Sequence, residues 1–280
     1  MLRLAHLSDL HFGRVPPRIA DRLLEAVARL APDLTVITGD MTQRSRSSQW
    51  RMAREFVEKL PGPVICVPGN HDAPLENVAR RLVSPWRRYR RYIALDVAPT
   101  TRMKGVRVVG ANSASRVEWQ RGRLDPGDMA RACKALAEPP REALTVLALH
   151  HPLEQLPDDP KAPLRDAEDH ARRLADAGAE MVLCGHMHTW RAMPILGGRM
   201  LQVQAGTSLS LRTRGEENDF NLLTLGEGRV DVERHAVGEG GEDFLRLSGM
   251  SFAKRDGLWR QVEGRAPRET AVPAEARDSA

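Results

Sequence analysis

Short apolar runs recur along the first two thirds of the chain, and segments with helical periodicity separate several of them. Five runs are apolar and too short for helices, which predicts buried strands. They cover residues 2–7, 33–38, 64–67, 144–149 and 181–184. Residues 17–30 and 48–60 lie between the first three runs, and their apolar positions recur every three or four residues. This alternation predicts parallel strands joined by right-handed helical crossovers.

The C-terminal part of the chain follows a different pattern, in which short strands alternate apolar and polar positions. These strands are predicted at residues 200–203, 220–225, 230–235 and 257–262. Such alternation is typical of antiparallel sheets, so we predict a second, largely antiparallel sheet. The stretch from Gly264 is polar and rich in Ala, Arg and Glu. We therefore expect one domain of residues 1–263 and a disordered tail of residues 264–280.

Residues 78–93 combine helical periodicity with many arginines and aromatic residues, and Pro85 should break the helix. The arginines are Arg80, Arg81, Arg87, Arg88, Arg90 and Arg91, and the aromatic residues are Trp86, Tyr89 and Tyr92. Two interpretations stay open. The segment is either a solvated basic face over an apolar stripe of Leu82, Val83, Trp86 and Ile93, or a surface that binds phosphates or a membrane.

The composition is that of a globular protein with a sizeable core, since 41% of the 280 residues are hydrophobic. The formal net charge of +5 gives a modest bias towards anionic partners. No apolar run is long enough to span a bilayer and the N-terminus lacks a signal-peptide pattern, so we expect a cytoplasmic protein. Cys66, Cys133 and Cys184 lie in apolar strands or a helix, which predicts thiols without a disulfide framework.

Side chains that can bind metals follow the predicted strands at five places. They are Asp9 with His11, Asp40, Asn70 with His71 and Asp72, His150 with His151, and His186 with His188. Each motif alone is common as a polar turn or a helix cap. Because parallel strands place their carboxyl ends along one edge of a sheet, the five together predict one site.

Seven of these side chains offer oxygen or nitrogen ligands: Asp9, His11, Asp40, Asn70, His150, His186 and His188. Seven ligands are too many for one tetrahedral zinc ion, but they fit two ions that share one ligand. A set without thiolates suits Mn(II), Fe, Zn or Co. Two such ions about 3.5 to 4 Å apart would hold a bridging hydroxide for in-line attack on phosphorus. The site therefore predicts a hydrolase.

The ordered motifs resemble the calcineurin-like binuclear metallophosphoesterase superfamily over residues 1 to about 235. They are Asp9-x-His11, Gly39-Asp40, Gly69-Asn70-His71-Asp72, His150 and Gly185-His186-x-His188. The opening at residues 8–13, together with Asp40-Met41-Thr42 and His150-His151-Pro152, is most similar to the bacterial class III cyclic-nucleotide phosphodiesterase branch. The resemblance implies an α/β fold, a four-layer α/β/β/α sandwich of two mixed sheets flanked by helices.

The resemblance also implies a role for each ligand and favours Mn or Fe for the two divalent ions. Asp9, His11 and His188 would hold the first metal, Asn70, His150 and His186 would hold the second, and Asp40 would bridge both.

By the same resemblance, His71 would not ligate a metal but would face the leaving-group oxygen as general acid or phosphate donor. Asp72 would orient His71 from behind. His151 and Asn112 would either line the substrate pocket or have a purely structural role.

The predicted activity is hydrolysis of a small phosphodiester, with a 3′,5′-cyclic nucleotide as the substrate suggested by the resemblance. Alternatives are a glycerophosphodiesterase or a pyrophosphohydrolase that acts on a UDP-linked lipid precursor. The arginine-rich segment from Arg80 to Arg91 would favour the second alternative if it contacts an anionic membrane surface. A phosphoprotein phosphatase is disfavoured, because Asp40-Met41-Thr42 departs from the aspartate-arginine-glycine run of those enzymes. A non-catalytic binding scaffold is disfavoured, because every ligand position is filled. A third hypothesis for the function is nucleic-acid binding through the basic helix. The sequence does not set the oligomeric state.

Overall fold

Two sheets packed face to face, with helices on both outer sides, make up the fold. The computed structural model describes residues 1–16, 18–139, 144–156, 159, 161–211, 215–238 and 243–262. Its helices are α1 (Ile19–Leu30), α2 (Ser47–Lys59), α3 (Val78–Val83), α4 (Arg87–Tyr92), α5 (Pro126–Ala137) and α6 (Ala167–Asp176). Its first seven strands are β1 (Leu2–Leu7), β2 (Leu34–Ile37), β3 (Val64–Cys66), β4 (Thr100–Met103), β5 (Val106–Gly110), β6 (Leu144–Ala148) and β7 (Met181–Cys184). The others are β8 (Arg191–Ile195), β9 (Met200–Gln204), β10 (Asp219–Gly226), β11 (Arg229–Val237), β12 (Phe244–Arg255) and β13 (Leu258–Val262).

The first sheet has the strand order β13-β12-β11-β10-β1-β2-β3, and the second has the order β4-β5-β6-β7-β9-β8. The pairs β1/β2 and β2/β3 are parallel, which confirms the strand and helix alternation predicted for the N-terminal segment. In the second sheet, β5, β6, β7 and β9 are parallel to one another. Both sheets are mixed, because antiparallel strands extend each of them.

Three layers of apolar side chains hold the four layers together, and the alternation along each strand decides which layer a residue joins. On β1, Leu4 packs between the two sheets, whereas Leu7 points outwards against α1 and α2. On β6, Val146 joins the core between the sheets and Leu147 packs against α5 and α6. This arrangement confirms the predicted α/β/β/α sandwich.

The prediction of a separate antiparallel sheet in the C-terminal part is wrong in its pairing. Strands β10 to β13 are antiparallel, but β10 pairs with β1 and thereby extends the first sheet. Strand β9 instead lies in the second sheet, parallel to β7. Alternation along a strand indicates its buried face but not its neighbour, so these partners could not be read from periodicity.

Strand β12 escaped the sequence analysis, although it is the longest strand of the described residues. Leu245 and Leu247 are exposed on it, and Gly249 lies in its interior. Exposed apolar residues and an interior glycine obscure the apolar and polar alternation by which strands are recognised.

The arginine-rich segment forms two short helices, α3 and α4, separated at Ser84–Trp86 as Pro85 predicted. The predicted apolar stripe is wrong for α3, because Leu82 and Val83 are exposed while Arg81 is only 1% exposed. The Arg81 guanidinium donates hydrogen bonds to the carbonyls of Ser115, Arg116 and Glu118. Three carbonyl partners compensate for burial of this charge, which periodicity alone does not reveal.

Some sequence predictions fall on residues outside the described ranges. Pro17, the expected first residue of α1, is one, and the expected tail of residues 264–280 is another, so the single domain of residues 1–263 stays a prediction. None of the helices in the described part of the chain combines the length and apolar character that a membrane span requires.

We predict that Arg81→Met lowers the free energy of unfolding by about 2–4 kcal/mol, because three carbonyls lose a charged donor. Arg90→Gln is the matched control, since Arg90 is an exposed arginine on the adjacent helix, and it should shift stability by less than about 0.5 kcal/mol. Urea unfolding measures both variants. Equal stability of the two variants would show that Arg81 does not hold the loop of residues 115–118.

Candidate metal centre

The loops that follow β1, β2, β3, β6 and β7 meet at one end of the two sheets. These strands divide between both sheets, so the expectation that they end along one sheet edge was too simple. Backbone hydrogen bonds join the loops: His11 N–H donates to the Asp40 carbonyl at 2.8 Å, and Gly185 N–H donates to the His150 carbonyl at 3.0 Å. The convergence therefore depends on how the two sheets stack.

The first cluster of ligand atoms is formed by Asp9, His11 and His188, which are all buried. The Nε2 atoms of His11 and His188 lie 3.3 Å apart. Asp9 Oδ1 lies 3.1 Å from His188 Nε2 and 3.5 Å from His11 Nε2. Two imidazole nitrogens and a carboxylate oxygen at these separations could hold one metal ion.

The second cluster gathers His150, His186 and Asn70. His150 Nε2 lies 3.2 Å from the side-chain oxygen of Asn70, and the rings of His150 and His186 have centroids 5.1 Å apart. The Asn70 amide donates its N–H to the Trp119 carbonyl at 3.2 Å. This bond orients the amide so that its oxygen, and not its nitrogen, faces His150.

Asp40 lies between the two clusters. Its Oδ2 atom is 3.7 Å from His11 Nε2 and 3.4 Å from His150 Nε2. Its Oδ1 atom accepts the backbone N–H of His71 at 2.8 Å, which fixes the rotation of the carboxylate. The structure thus brings all seven predicted ligands together, with one carboxylate in contact with both halves.

Some of the metal-ligand atoms have no hydrogen-bond partner, as expected if a cation binds them. In the described part of the protein, Asp9 Oδ1 and His186 Nε2 are buried side-chain atoms without a hydrogen-bond partner. Buried polar atoms without partners are costly, and native proteins usually satisfy them with a ligand, a water or an ion. A divalent ion in each cluster would satisfy them, as the donor types indicate.

Burial and the facing carboxylates give the buried imidazoles different protonation states. Burial lowers the pKa of His11 to about 4 and that of His186 well below its usual value, so both rings are neutral. Burial alone would lower the pKa of His150 too, but the Asp40 carboxylate raises it to about 9. His150 Nδ1 donates to the Thr38 carbonyl at 2.7 Å, so its Nε2 atom faces Asp40.

The two carboxylates are held in their charged form. Burial by itself would raise the pKa of Asp9 and Asp40, but the facing imidazoles outweigh it and hold both pKa values well below the usual value. For Asp9 the largest opposing effect comes from His188, and for Asp40 it comes from His150. The centre therefore offers two anions to a bound cation.

His71 lies at the partly exposed edge of the site. Its Nδ1 atom donates to the Gln43 carbonyl at 2.7 Å, because a carbonyl can only accept. Its ring stands edge-on to the His11 ring, with centroids 4.9 Å apart. The Gln43 carbonyl thus orients the ring. Because Nδ1 keeps its proton for this bond, Nε2 is the ring atom that can exchange a proton.

The hydrogen bonds of Asp72 favour a different role from the predicted one of orienting His71. Its carboxylate accepts the backbone N–H groups of Met41, Thr42 and Gly69, and also the Thr42 hydroxyl. Burial first, and then the Asp40 charge, raise the pKa of Asp72 to about 7. Asp72 thereby ties the loop after β2 to the loop after β3, and so positions Asp40 next to His71.

His151 is buried beside the second cluster, with its ring centroid 4.4 Å from that of His186. Asn112 is also buried, and the hydrogen bonds of both residues favour a structural role. His151 Nε2 donates to the Gln120 carbonyl at 3.1 Å, and its Nδ1 lies 2.9 Å from the Ser113 hydroxyl. The ring of His151 also lies close enough to His150 and His186 for the three to offer ligand atoms to one metal ion, but both of its ring nitrogens already have hydrogen-bond partners. The Asn112 side-chain oxygen accepts the Ala114 N–H at 3.1 Å, as in a local turn.

Several residues that shape the site were missed by the sequence analysis. Thr38, Gln43 and Trp119 act through backbone carbonyls, which carry no side-chain signal. Lys161 was missed because a lysine in a polar, proline-rich loop is ordinary. Its ammonium group donates to the His186 carbonyl and lies 3.5 Å from His186 Nδ1.

Backbone strain is concentrated at the ligands. Five of the seven adopt a positive φ that side chains other than glycine rarely take: Asp9 (54°), His11 (47°), Asp40 (50°), His186 (71°) and His188 (63°). Gly69 adds a second constraint, since a Cβ atom there would lie 2.2 Å from Asp40 Oδ1 and 2.4 Å from Asp40 N. Strain of this kind persists where the surroundings over-determine the geometry, as they do at functional sites.

A four-layer sandwich with two adjoining clusters of histidine and carboxylate ligands defines the class of metal-dependent phosphoesterases. The family profile described as calcineurin-like phosphoesterase matches residues 2–190. The chain therefore belongs to the calcineurin-like phosphoesterase family and is a phosphoesterase.

Similar proteins include two bacterial phosphodiesterases. The chain is 28% identical over 207 residues to the cAMP/cGMP dual specificity phosphodiesterase of Mycobacterium tuberculosis, covering 66% of this chain and 61% of that protein. It is 26% identical over 232 residues to the 3′,5′-cyclic adenosine monophosphate phosphodiesterase CpdA of Escherichia coli, covering 79% and 76%. A purple acid phosphatase from yellow lupin aligns in structure with a TM-score of 0.63 and 15% identity, over 90% of this chain and 53% of that one. The lupin comparison supports the fold alone.

We predict that Gly69→Ala lowers the free energy of unfolding by about 1–3 kcal/mol and reduces the bound metal, because the added methyl group collides with Asp40. Gly127→Ala is the control, since a Cβ atom at Gly127 in α5 meets nothing within 4 Å. The control should be neutral or slightly stabilising. Urea unfolding and elemental analysis of both variants test this, and a Gly69→Ala protein with normal stability and metal content would contradict it.

Proposed function

We propose that the protein is a phosphodiesterase with two metal ions, and that its substrates are small phosphodiesters such as a 3′,5′-cyclic nucleotide. The observation that carries the proposal is the position of Asp40, whose Oδ2 atom contacts His11 in one cluster and His150 in the other. A single buried carboxylate that contacts an imidazole ligand in each of two clusters is the arrangement that a shared ligand requires. The substrate class rests on the two bacterial relatives named as cyclic-nucleotide phosphodiesterases.

The metal ligands follow from the clusters. Asp9, His11 and His188 would hold one ion, Asn70, His150 and His186 would hold the other, and Asp40 would serve both. The donors suit Mn, Fe, Zn or Co without choosing among them, and the family resemblance favours Mn or Fe. Bound there, two divalent ions would supply a hydroxide nucleophile at neutral pH and neutralise the phosphoryl oxygens.

His71 would act as the general acid. The Gln43 carbonyl holds one proton on its Nδ1 atom, so a second proton taken up to form the imidazolium would be carried by Nε2. From Nε2 the imidazolium would donate a hydrogen bond to the substrate and pass its proton to the leaving oxygen as the bond to phosphorus breaks. Asp72 would support this step indirectly, by fixing the loops that carry Asp40 and His71.

A second candidate is the pyrophosphate of a UDP-linked lipid. The exposed arginines of α4 and the exposed Leu82 and Val83 of α3 favour it, because such a surface suits peripheral contact with an anionic membrane. Glycerophosphodiesters are the remaining candidate, on family grounds. Nucleic acid is disfavoured as a partner, and the cytoplasmic location expected from the sequence stays a prediction.

Metal analysis tests the bridging role. Wild-type protein purified without chelator should contain about two equivalents of metal, and Asp40→Ala should lose metal from both clusters because each loses a ligand. Asp21→Ala is the matched control, an exposed aspartate in the first turn of α1, and should keep the wild-type content. An Asp40→Ala protein with full metal content and activity would refute the bridging assignment.

We predict that the loss caused by His71→Ala depends on the leaving group. Against cyclic nucleotides and glycerophosphodiesters, whose alkoxides need a proton, kcat should fall by about 100-fold or more. Against bis-p-nitrophenyl phosphate, whose leaving group needs little protonation, it should fall by less than about tenfold. The metal content should stay at the wild-type value.

The same substrate panel, assayed on the wild-type protein with added Mn(II), ranks the candidate substrates. Faster hydrolysis of a cyclic nucleotide than of a UDP-sugar lipid or a glycerophosphodiester supports the main proposal, and the reverse order supports the alternatives. An equal loss by His71→Ala on every substrate would contradict its role as general acid.

A further inference from the structure

A second cluster of charged side chains lies outside the metal centre, where α3, α4 and the start of α2 meet. A pocket of about 190 Å³ is lined there by Ser47, Arg80, Arg87, Arg88, Arg91 and Tyr92. We refer to these six residues as the arginine pocket. Among the described residues, four guanidinium groups and no carboxylate line it.

No carboxylate of the described residues neutralises the charge of this pocket. Among the ion pairs formed by the described residues, none involves Arg80, Arg87, Arg88 or Arg91, whereas the nearby Arg44 and Arg46 both pair with Glu76. Burial, together with the charges of Arg80 and Arg87, lowers the pKa of Arg88. Uncompensated like charges in one concavity are unfavourable unless an anion joins them.

Two further features arrange the arginines for an anion. Arg88 donates one N–H to the Ser45 carbonyl at 2.6 Å, which fixes the position of its guanidinium. Arg91 lies over the Tyr92 ring, 5.6 Å from its centroid. Ser47, which also lines the pocket, is the first residue of the 13-residue α2, so the positive end of that helix dipole lies at the pocket.

We propose that the arginine pocket binds a compact anion that carries one or two phosphate groups. The volume is below the roughly 300–1,000 Å³ of pockets that enclose drug-sized ligands, so the pocket suits a phosphate or pyrophosphate group and not a whole nucleotide. Arginine is the side chain best suited to such groups, because its planar fork donates two parallel hydrogen bonds to phosphate oxygens.

The phosphate group could belong to a free anion or to a lipid headgroup, and the chemistry of the pocket is the same for both. Leu82 and Val83 follow Arg80 and Arg81 on α3 and are 44% and 84% exposed. Exposed apolar side chains beside a basic pocket are suited to a membrane surface that presents phosphates.

The pocket is also connected to the metal centre. Arg88 bonds the carbonyl of Ser45, and Ser45 N–H donates to the Thr42 hydroxyl at 3.1 Å. Thr42 bonds Asp72, and Gln43 bonds the ring of His71. An anion that draws Arg88 away from Ser45 would therefore act on the turn of residues 42–45, which orients His71.

Calorimetric titration of the intact metal-loaded protein with pyrophosphate tests the proposal. Arg87→Gln/Arg91→Gln removes two exposed arginines of the pocket, and Arg90→Gln is the control, an exposed arginine of the same helix that does not line it. We expect the double variant to bind at least about tenfold more weakly, and Arg90→Gln to bind like the wild type. Pyrophosphate bound at the metal centre contributes equally to all three proteins, so the difference between them reports the pocket alone.

Vesicle sedimentation identifies the source of the phosphate. Phosphatidylcholine vesicles with phosphatidic acid, compared with vesicles without it, should retain wild type and Arg90→Gln but not the double variant if a lipid supplies the phosphate. Leu82→Ser/Val83→Ser should then lose vesicle binding and keep pyrophosphate binding. Pyrophosphate binding without vesicle binding assigns a free anion. If the wild type and the double variant bind both probes equally, the proposal is overturned.

Discussion

The position of the Asp40 carboxylate is the constraint on which the rest of the site depends. One oxygen contacts imidazoles of both clusters, and the other accepts the N–H of His71. The carboxylate reaches this position because Gly69 leaves no side chain in its way. Two sheets must also stack correctly, since His11 follows a strand of one and His150 a strand of the other. A shift of either sheet would separate the clusters, so the global fold and the local chemistry are one requirement.

This geometry lowers the stability of the folded protein. Most of the ligands have a left-handed backbone conformation, and two of the buried ligand atoms, Asp9 Oδ1 and His186 Nε2, have no hydrogen-bond partner among the described residues. Each such feature costs about 1–3 kcal/mol. The surrounding bonds of Asp72 and the Thr38 carbonyl hold the loops in place against that cost. The preorganised ligands therefore lower the free energy of unfolding of the metal-free protein. Bound cations would restore part of that stability.

Much of this site could be predicted from the sequence, because ligand side chains stand at the ends of apolar strands, and parallel strands gather their ends. The three-residue β3 was recognisable for that reason, and so were the clusters built on Asp9 and His150. What escaped prediction has no side-chain signature. Sheet partners such as β10 with β1 depend on long-range packing, Gln43 and Thr38 act through carbonyls, and Arg81 is buried because a distant loop turns its carbonyls inwards. Strand β12 was missed because Leu245 and Leu247 are exposed on it, so its apolar residues do not mark a buried face. Neighbouring elements decide which face of a strand is covered.

The account stands or falls on whether two cations lie on either side of Asp40. The most direct measurement is anomalous scattering from crystals of the protein grown with Mn(II). The account predicts two anomalous peaks, one among Asp9, His11 and His188 and one among Asn70, His150 and His186, with the Asp40 carboxylate between them. A single peak, or two peaks of which neither contacts Asp40, would contradict it.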